Sequence, residues 1–251
     1  MVDIHNHVLW ALDDGAATLE ASLAMLQTAA ADGVTDIVAT PHLDPQYTYN
    51  AELVRSRIVE LAAKTDGHPR LYRGCEFHFS FDNIDHLLQD PTVYTINGTR
   101  YLLLEFPNTH IGRHTEPVLQ RLIDAAIVPI VAHPERNPIL RGDVDRLERW
   151  VELGCLVQVT ALAITGGFGS PPRAASLKLL ERGLVHVVAS DAHDPQQRHP
   201  RLSEAYAAVG RGFGDETAKI LFSENPRDVI EGLPIAPGKT NVTSSRRWWP
   251  F

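Results

Sequence analysis

Short apolar runs that end in a histidine or a carboxylate recur along this chain, and they constrain its fold more than any other feature. Val2-Asp3-Ile4-His5-Asn6-His7 opens the sequence. Asp36-Ile37-Val38-Ala39-Thr40-Pro41-His42, Tyr101-Leu102-Leu103-Leu104-Glu105 and Val128-Pro129-Ile130-Val131-Ala132-His133 follow, then Val185-His186-Val187-Val188-Ala189-Ser190-Asp191-Ala192-His193. Arg70-Leu71-Tyr72-Arg73-Gly74-Cys75-Glu76 fits the pattern with a weaker apolar run. Runs of this length bounded by turn residues read as buried parallel strands. In a closed barrel of such strands the functional groups stand at the carboxyl-terminal strand ends. The chain therefore aims five imidazoles and several carboxylates at one rim, the arrangement of a multinuclear metal site.

Between these runs lie helical stretches. Strands are expected at about 2–7, 35–40, 70–76, 101–105, 128–133, 155–160 and 185–190. Helices are expected over roughly 18–32, stopped by Gly33, and 51–64, with Asn50 as N-cap and Gly67 beyond its end. Others are expected near 116–126, 143–153 and 173–182, with a less regular stretch from 77 to 98 and a Gly/Pro-rich loop at 166–172. Helices near 203–210, 215–223 and 226–231 cover the remainder. Seven βα units make an α/β fold, a distorted seven-stranded (βα)7 TIM-like barrel, one unit short of the usual eight. A single domain over 1–233 with a loose tail over 234–251 accounts for the chain; Trp248, Trp249 and Phe251 lie in that tail.

Composition narrows the class. With 251 residues, 44% hydrophobic and 22% charged, the chain can bury one large core. It has no run of about 18 apolar residues to insert in a membrane, and strand character from residue 2 leaves no room for a signal peptide. Two cysteines, Cys75 and Cys155, build no disulfide framework, so a cytoplasmic location is expected. A formal charge of −8 argues against nucleic-acid binding.

A lone histidine near a strand end is usually a core or surface residue, and His68, His78, His86, His110, His114, His186 and His199 are read that way. A His-x-His pair on a strand is stronger, because alternate residues point to the same side. Repetition at consecutive strand ends is what separates His5, His7, His42, His133 and His193 from the rest.

The segments Asp3-Ile4-His5-Asn6-His7, Asp13-Asp14-Gly15, Ala39-Thr40-Pro41-His42, Gly74-Cys75-Glu76, Leu104-Glu105-Phe106-Pro107, Ala132-His133-Pro134-Glu135-Arg136 and Ser190-Asp191-Ala192-His193 resemble the polymerase and histidinol phosphatase (PHP) superfamily. The resemblance is greatest to its bacterial tyrosine-phosphatase branch, associated with capsular and exopolysaccharide operons, and spans about residues 1–230. It implies three divalent ions. His5, His7 and Asp191 would hold the first, with Glu76 bridging to the second; Glu105 and His133 would complete the second; Asp14, His42 and His193 would hold the third. Asp13 is a rival to Asp14. Imidazole and carboxylate without thiolate suit Mn²⁺, Fe or Zn²⁺ rather than Ca²⁺, and the resemblance favours Mn²⁺.

Four ligand carboxylates against three divalent ions leave the centre net positive, which suits a phosphate monoester dianion. The expected chemistry is in-line attack of a metal-bound hydroxide on phosphorus. Arg136 and Arg198, in the loops after strands five and seven, are expected to fork onto the phosphate and stabilise its charge. Glu135 is a candidate to orient Arg136. Phe77, Phe79, Phe81, Phe106 and Phe168 lie in loops expected to form the rim; the barrel wall is the competing location for each. The implied substrate is a phosphotyrosyl protein, a bacterial tyrosine autokinase; relatives form assemblies, but no self-complementary patch is readable, and a homo-oligomer is left open.

Other readings meet specific obstacles. A cysteine phosphatase needs Cys, five residues, then Arg; Phe81 and Ala161 stand six residues after the two cysteines. The carboxylated bridging lysine of binuclear amidohydrolases has no counterpart, since Lys64, Lys178, Lys219 and Lys239 lie away from strand ends. Histidinol-phosphate phosphatases usually carry histidine where Glu105 stands. A polymerase proofreading module is not expected as an isolated acidic chain. A metal-stabilised binding module would be expected to have lost some of the nine ligands.

Overall fold

The apolar runs form parallel strands. The computed structural model describes residues 1–235, so Trp248, Trp249 and Phe251 lie outside the described residues. Strands β1 (Val2–Asn6), β2 (Asp36–Ala39) and β4 (Arg70–Arg73) make one sheet in the order β1-β2-β4. Strands β3 (His42–Leu43), β5 (Glu76–His78), β6 (Tyr101–Glu105), β7 (Val128–Val131), β8 (Leu156–Thr160) and β9 (Val187–Ala189) make the second, in that order. Every pairing is parallel.

Each segment expected as a strand contains strand residues, but nine strands stand where seven are expected, because two of the segments are interrupted. The expected second strand breaks at Thr40-Pro41 and continues as β3, and the third breaks at Gly74-Cys75 and continues as β5. At these breaks the ladder passes from one sheet to the other. Gly74 permits the crossing: a Cβ there would lie 2.7 Å from Val38 Cγ1. The outer edges then approach each other, because Asp191 N donates to His5 O (2.8 Å) and His7 N to Ala192 O (2.9 Å). The result is a curled parallel sheet.

The helices follow local rules. Thr18 caps α1 (Leu19–Ala31) by accepting from Ala21 N, and Asn50 caps α2 (Ala51–Lys64) by accepting from Glu52 N and Leu53 N. Helix α3 (Phe81–Leu87) lies in the stretch expected to be irregular. Helices α4 (Thr115–Asp124) and α5 (Val144–Leu153) match expectation. After β8 an unexpected short α6 (Ala161–Thr165) precedes the expected loop, and α7 (Ser170–Glu181) takes up the end of that loop, starting before its two prolines, which the first helical turn tolerates. Helices α8 (Ser203–Phe213), α9 (Asp215–Lys219) and α10 (Asn225–Glu231) end the described fold.

Strand alternation splits the core. Leu104, Val131 and Val157 face one way and pack with the helix residues Leu119, Trp150 and Leu179. Leu103, Ile130, Leu156 and Val187 face the other way and pack with Val229 and Ile230 of α10. Arg227 of α10 also bonds Asp36 at the start of β2. Helix α10 thus covers the amino-terminal strand ends and leaves the carboxyl-terminal ends for the polar residues.

Candidate metal centre

Most of the expected ligands lie where a strand ends at the rim or resumes after a break, and Asp14 lies in the loop after β1. β1 presents His5 with His7 one residue past it; β3 opens on His42, β5 on Glu76, and β6 closes on Glu105. His133 lies two residues past β7, and Asp191 and His193 follow β9. His133 and Asp191 have φ of 30° and 51°, a left-handed backbone that costs non-glycine residues of order 1–3 kcal/mol and concentrates at functional sites. This turn lets each strand end swing its side chain inward.

Three overlapping sets of donor atoms result: His5, His7, Glu76 and Asp191; His7, Asp14, His42 and His193; His42, Glu76 and Glu105. His133 joins through its Nε2, 2.7 Å from Glu76 Oε1. All nine residues expected as ligands are therefore brought together. His7 belongs to two sets rather than one, and His42 approaches Glu76 as well as Asp14.

Glu76 is the hub. It is buried, and His5 Nε2, His7 Nε2 and His42 Nδ1 lie 3.0, 3.1 and 3.2 Å from its Oε2. That oxygen nevertheless accepts no hydrogen bond, and His42 Nδ1 makes none. His5 Nε2 and His7 Nε2 face each other at 3.2 Å, where at most one proton fits. Buried acceptors that converge without protons between them are costly unless a cation fills the space. The donor set of imidazole and carboxylate fits divalent transition ions.

The electrostatics suit the same reading. Burial would raise the Glu76 carboxyl, but His5, His133 and His7 hold it well below the usual carboxylate range. Burial and the neighbouring His7 push the His193 imidazole down to about 3, so it is neutral and its nitrogen free to ligate. Contacts with His193 and His42 hold Asp14 far below the usual carboxylate range; its Oδ1 lies 3.3 and 3.4 Å from their Nε2 atoms. Asp13 instead accepts from the far side of His7, with Oδ2 2.7 Å from Nδ1. Gln158 does the same for His5, its Oε1 3.0 Å from Nδ1. Asp3, fully buried, accepts from Ser190 N (2.9 Å) and Ser190 Oγ (2.6 Å) and so ties β1 to the segment that carries Asp191.

Both expected arginines reach this rim. Arg136 Nη1 and Arg198 Nη2 donate to Asp191 Oδ2, the latter at 2.8 Å. Arg198 Nε is buried without a hydrogen-bond partner. The Arg136 guanidinium lies over the Phe168 ring, 4.6 Å from its centroid. Glu135 is buried, and its Oε1 accepts from Thr160 N at 2.9 Å. Of the other phenylalanines, Phe77 and Phe106 are buried in the core, Phe79 stacks on Phe106, and Phe81 is exposed.

Three neighbours were missed by sequence reasoning. His78 Nδ1 lies 3.6 Å from Glu105 Oε2, and its place two residues after Glu76 on one strand was a usable signal. Tyr47 stacks on His42, with centroids 6.0 Å apart. Gln158 had no signal beyond its place on β8.

A curled parallel sheet with a histidine–carboxylate cluster at its carboxyl-terminal rim defines a class of barrel-like α/β folds. The phosphotriesterase homology protein of Escherichia coli shares that fold at a TM-score of 0.59 and 12% identity, over 90% of this chain and 96% of that one. Residues 1–231 match the family described as capsular polysaccharide synthesis, CpsB/CapC, and the chain belongs to that family. It is 37% identical to the putative tyrosine-protein phosphatase CapC of Staphylococcus aureus, over 89% of this chain and 86% of the relative. It is 34% identical to the tyrosine-protein phosphatase YwqE of Bacillus subtilis over the full length of both. Its fold matches a chain from the crystal structures of YwqE and of Streptococcus pneumoniae CpsB, described as metal-dependent tyrosine phosphatases, with a TM-score of 0.89 and 33% identity over 96% of this chain and 100% of that one.

Proposed function

We propose that this chain is a metal-dependent protein-tyrosine phosphatase of capsular or exopolysaccharide synthesis, and that its substrate is a tyrosine autokinase. The observation that carries the reading is Glu76 Oε2, a buried carboxylate oxygen ringed by three imidazole nitrogens and accepting no hydrogen bond. Full-length likeness to relatives named tyrosine-protein phosphatase supports the substrate class. His5, His7, Glu76 and Asp191 would hold a first ion, Glu76, Glu105 and His133 a second, and Asp14, His42 and His193 a third, with Mn²⁺ the favoured metal. When bound, such ions lower the pKa of water toward neutrality and neutralise phosphate charge.

The chain's own residues supply the rest. Arg136 and Arg198 converge on Asp191 from outside the donor sets and offer further N–H groups to equatorial phosphate oxygens. Phe168 lies under the Arg136 guanidinium and forms an apolar wall beside the phosphate position. Cys75 and Cys155 take no part: burial pushes the Cys155 thiol up to about 12 and the Cys75 thiol well above its ordinary value. Counting each interrupted strand as one, the fold is a (βα)7 barrel of one domain over residues 1–233.

The test is turnover of the Mn²⁺-loaded protein on phosphotyrosyl, phosphoseryl and histidinol-phosphate substrates. The highest kcat/KM is expected on phosphotyrosine, with loss of activity in EDTA. A preference for histidinol phosphate, or indifference to chelation, overturns the proposal.

A further inference from the structure

Asp13 belongs to none of the three donor sets, yet its side chain is only 1% exposed and its bonds reach two of them. Its Oδ2 lies 2.7 Å from His7 Nδ1 and accepts from His42 N at 3.1 Å. Its Oδ1 accepts from Gly15 N at 3.0 Å. The surrounding loop is folded onto His7: Ala16 N donates to His7 O at 3.1 Å, and Ala11 N to Ala16 O at 2.9 Å. Gly15 makes this approach feasible, since a Cβ there would sit 2.3 Å from His7 O.

One carboxylate oxygen therefore fixes the ring of His7 and the backbone from which His42 projects. An imidazole that donates Nδ1–H to a carboxylate is held in the tautomer and rotation that turn its Nε2 lone pair the other way. For His7 that direction holds Glu76 Oε2 at 3.1 Å and Asp191 Oδ1 at 3.6 Å. His7 is common to the set that contains Asp191 and the set that contains Asp14, and His42 is common to the set that contains Asp14 and the set that contains Glu105. The aspartate pair thus divides its work, with Asp14 facing the donors and Asp13 standing behind them.

We infer that Asp13 is a positioning residue that orients His7 and anchors His42, so that one side chain behind the centre sets the affinity of more than one ion. The inference rests on the reading of the cluster as a metal centre.

The experiment titrates metal-free full-length protein with Mn²⁺, counting bound ions by equilibrium dialysis, for the wild type and for Asp13→Ala, Asp13→Asn and Asp14→Ala. The Asp13 variants are expected to bind as many ions at saturation as the wild type, with dissociation constants raised ~10–100-fold, the usual cost of removing the partner of a ligating histidine. Asp13→Asn should fall between wild type and Asp13→Ala, because its amide oxygen can still accept from His7. The visible spectrum of bound Co²⁺ should shift in the Asp13 variants, a change that a loss of stability alone does not produce. Asp14→Ala is expected to lose an ion. Wild-type affinity and spectrum in Asp13→Ala overturn the inference, as does loss of an ion at saturation in Asp13→Asn, which would make Asp13 a ligand. Asp13→Asn, nearly isosteric, carries the comparison if the alanine variant does not fold. A wild type that binds no Mn²⁺ overturns the metal centre itself, a result separable from failure of the Asp13 assignment alone.

Discussion

Charge is buried at both ends of the curled sheet, and the two ends handle it in opposite ways. At the amino-terminal end, Asp36 is saturated: Arg70 donates to Oδ1 at 2.7 Å and Tyr72 OH at 3.2 Å, while Thr35 Oγ1 donates to Oδ2 at 2.7 Å and Arg227 at 3.1 Å. At the carboxyl-terminal end, Glu76 Oε2 and His42 Nδ1 are buried among like acceptors and bond to nothing. Removing a charge from water costs several kcal/mol unless partners replace the lost hydration. The saturated end meets that cost with the protein's own donors. The unsaturated end leaves it to something that binds. Saturation thus separates a structural charge cluster from a functional one, although each is centred on a buried carboxylate.

The contrast is broken most severely at Glu76. Glu76→Gln removes the charge shared by two of the three donor sets, and kcat on a phosphotyrosyl peptide should fall beyond the ~10²–10³-fold typical of losing a transition-state donor. Bound metal, measured by elemental analysis, should fall with it. Unchanged metal and turnover would make the two ends alike. Arg136→Ala should lower kcat by ~10²–10³-fold while leaving metal content unchanged; a parallel loss of metal would place Arg136 in the support of the centre rather than at the phosphate.

Asp36→Ala should do the reverse, leaving kcat within about twofold while lowering stability by about 2 kcal/mol in denaturant unfolding, the scale of hydrogen bonds to a charged group. Burial opposes Asp36 ionisation, but Thr35, Arg227 and Arg70 hold its carboxyl below the ordinary value. Its contribution is thus present above the unfolded pKa of about 3.9 and is lost as pH falls through the lower folded value. The unfolding curves of wild type and Asp36→Ala should converge in acid, and a constant gap from pH 7 to pH 2 would contradict this. The smallest effect on turnover is expected from Cys75→Ser and Cys155→Ser, whose buried thiols are protonated at neutral pH. Their kcat should stay near wild type despite some loss of stability; a large fall in kcat with intact metal would implicate a thiol.

Much of this was legible because strand and ligand occupy the same short segments. The apolar runs around Ile4, Val38, Leu103, Ile130 and Val188 mark strands, and the histidine or carboxylate at the end of each marks the rim. The nine residues clustered at the centre all came from that pattern and the motif resemblance. What stayed hidden depends on contacts distant in sequence. The breaks at Thr40-Pro41 and Gly74-Cys75 exist because strands change sheets, which no local propensity encodes. Asp13 and Asp14 are adjacent and chemically identical, and only the fold of the loop against His7 assigns them to opposite sides of an imidazole. Gln158 reads as an ordinary strand residue until His5 is placed beside it, and Glu135, a candidate partner for Arg136 by sequence, is turned instead to Thr160 N.

The most direct test of the unsaturated end is anomalous diffraction from a crystal of the protein loaded with Mn²⁺. Peaks are expected within ligand distance of Glu76 Oε2, His7 Nε2 and Asp14 Oδ1, with Asp13 and Asp36 outside the coordination shell. A Mn²⁺-loaded crystal with no peak at Glu76, or with its peaks confined to surface carboxylates, would contradict the reading of this cluster as a metal centre.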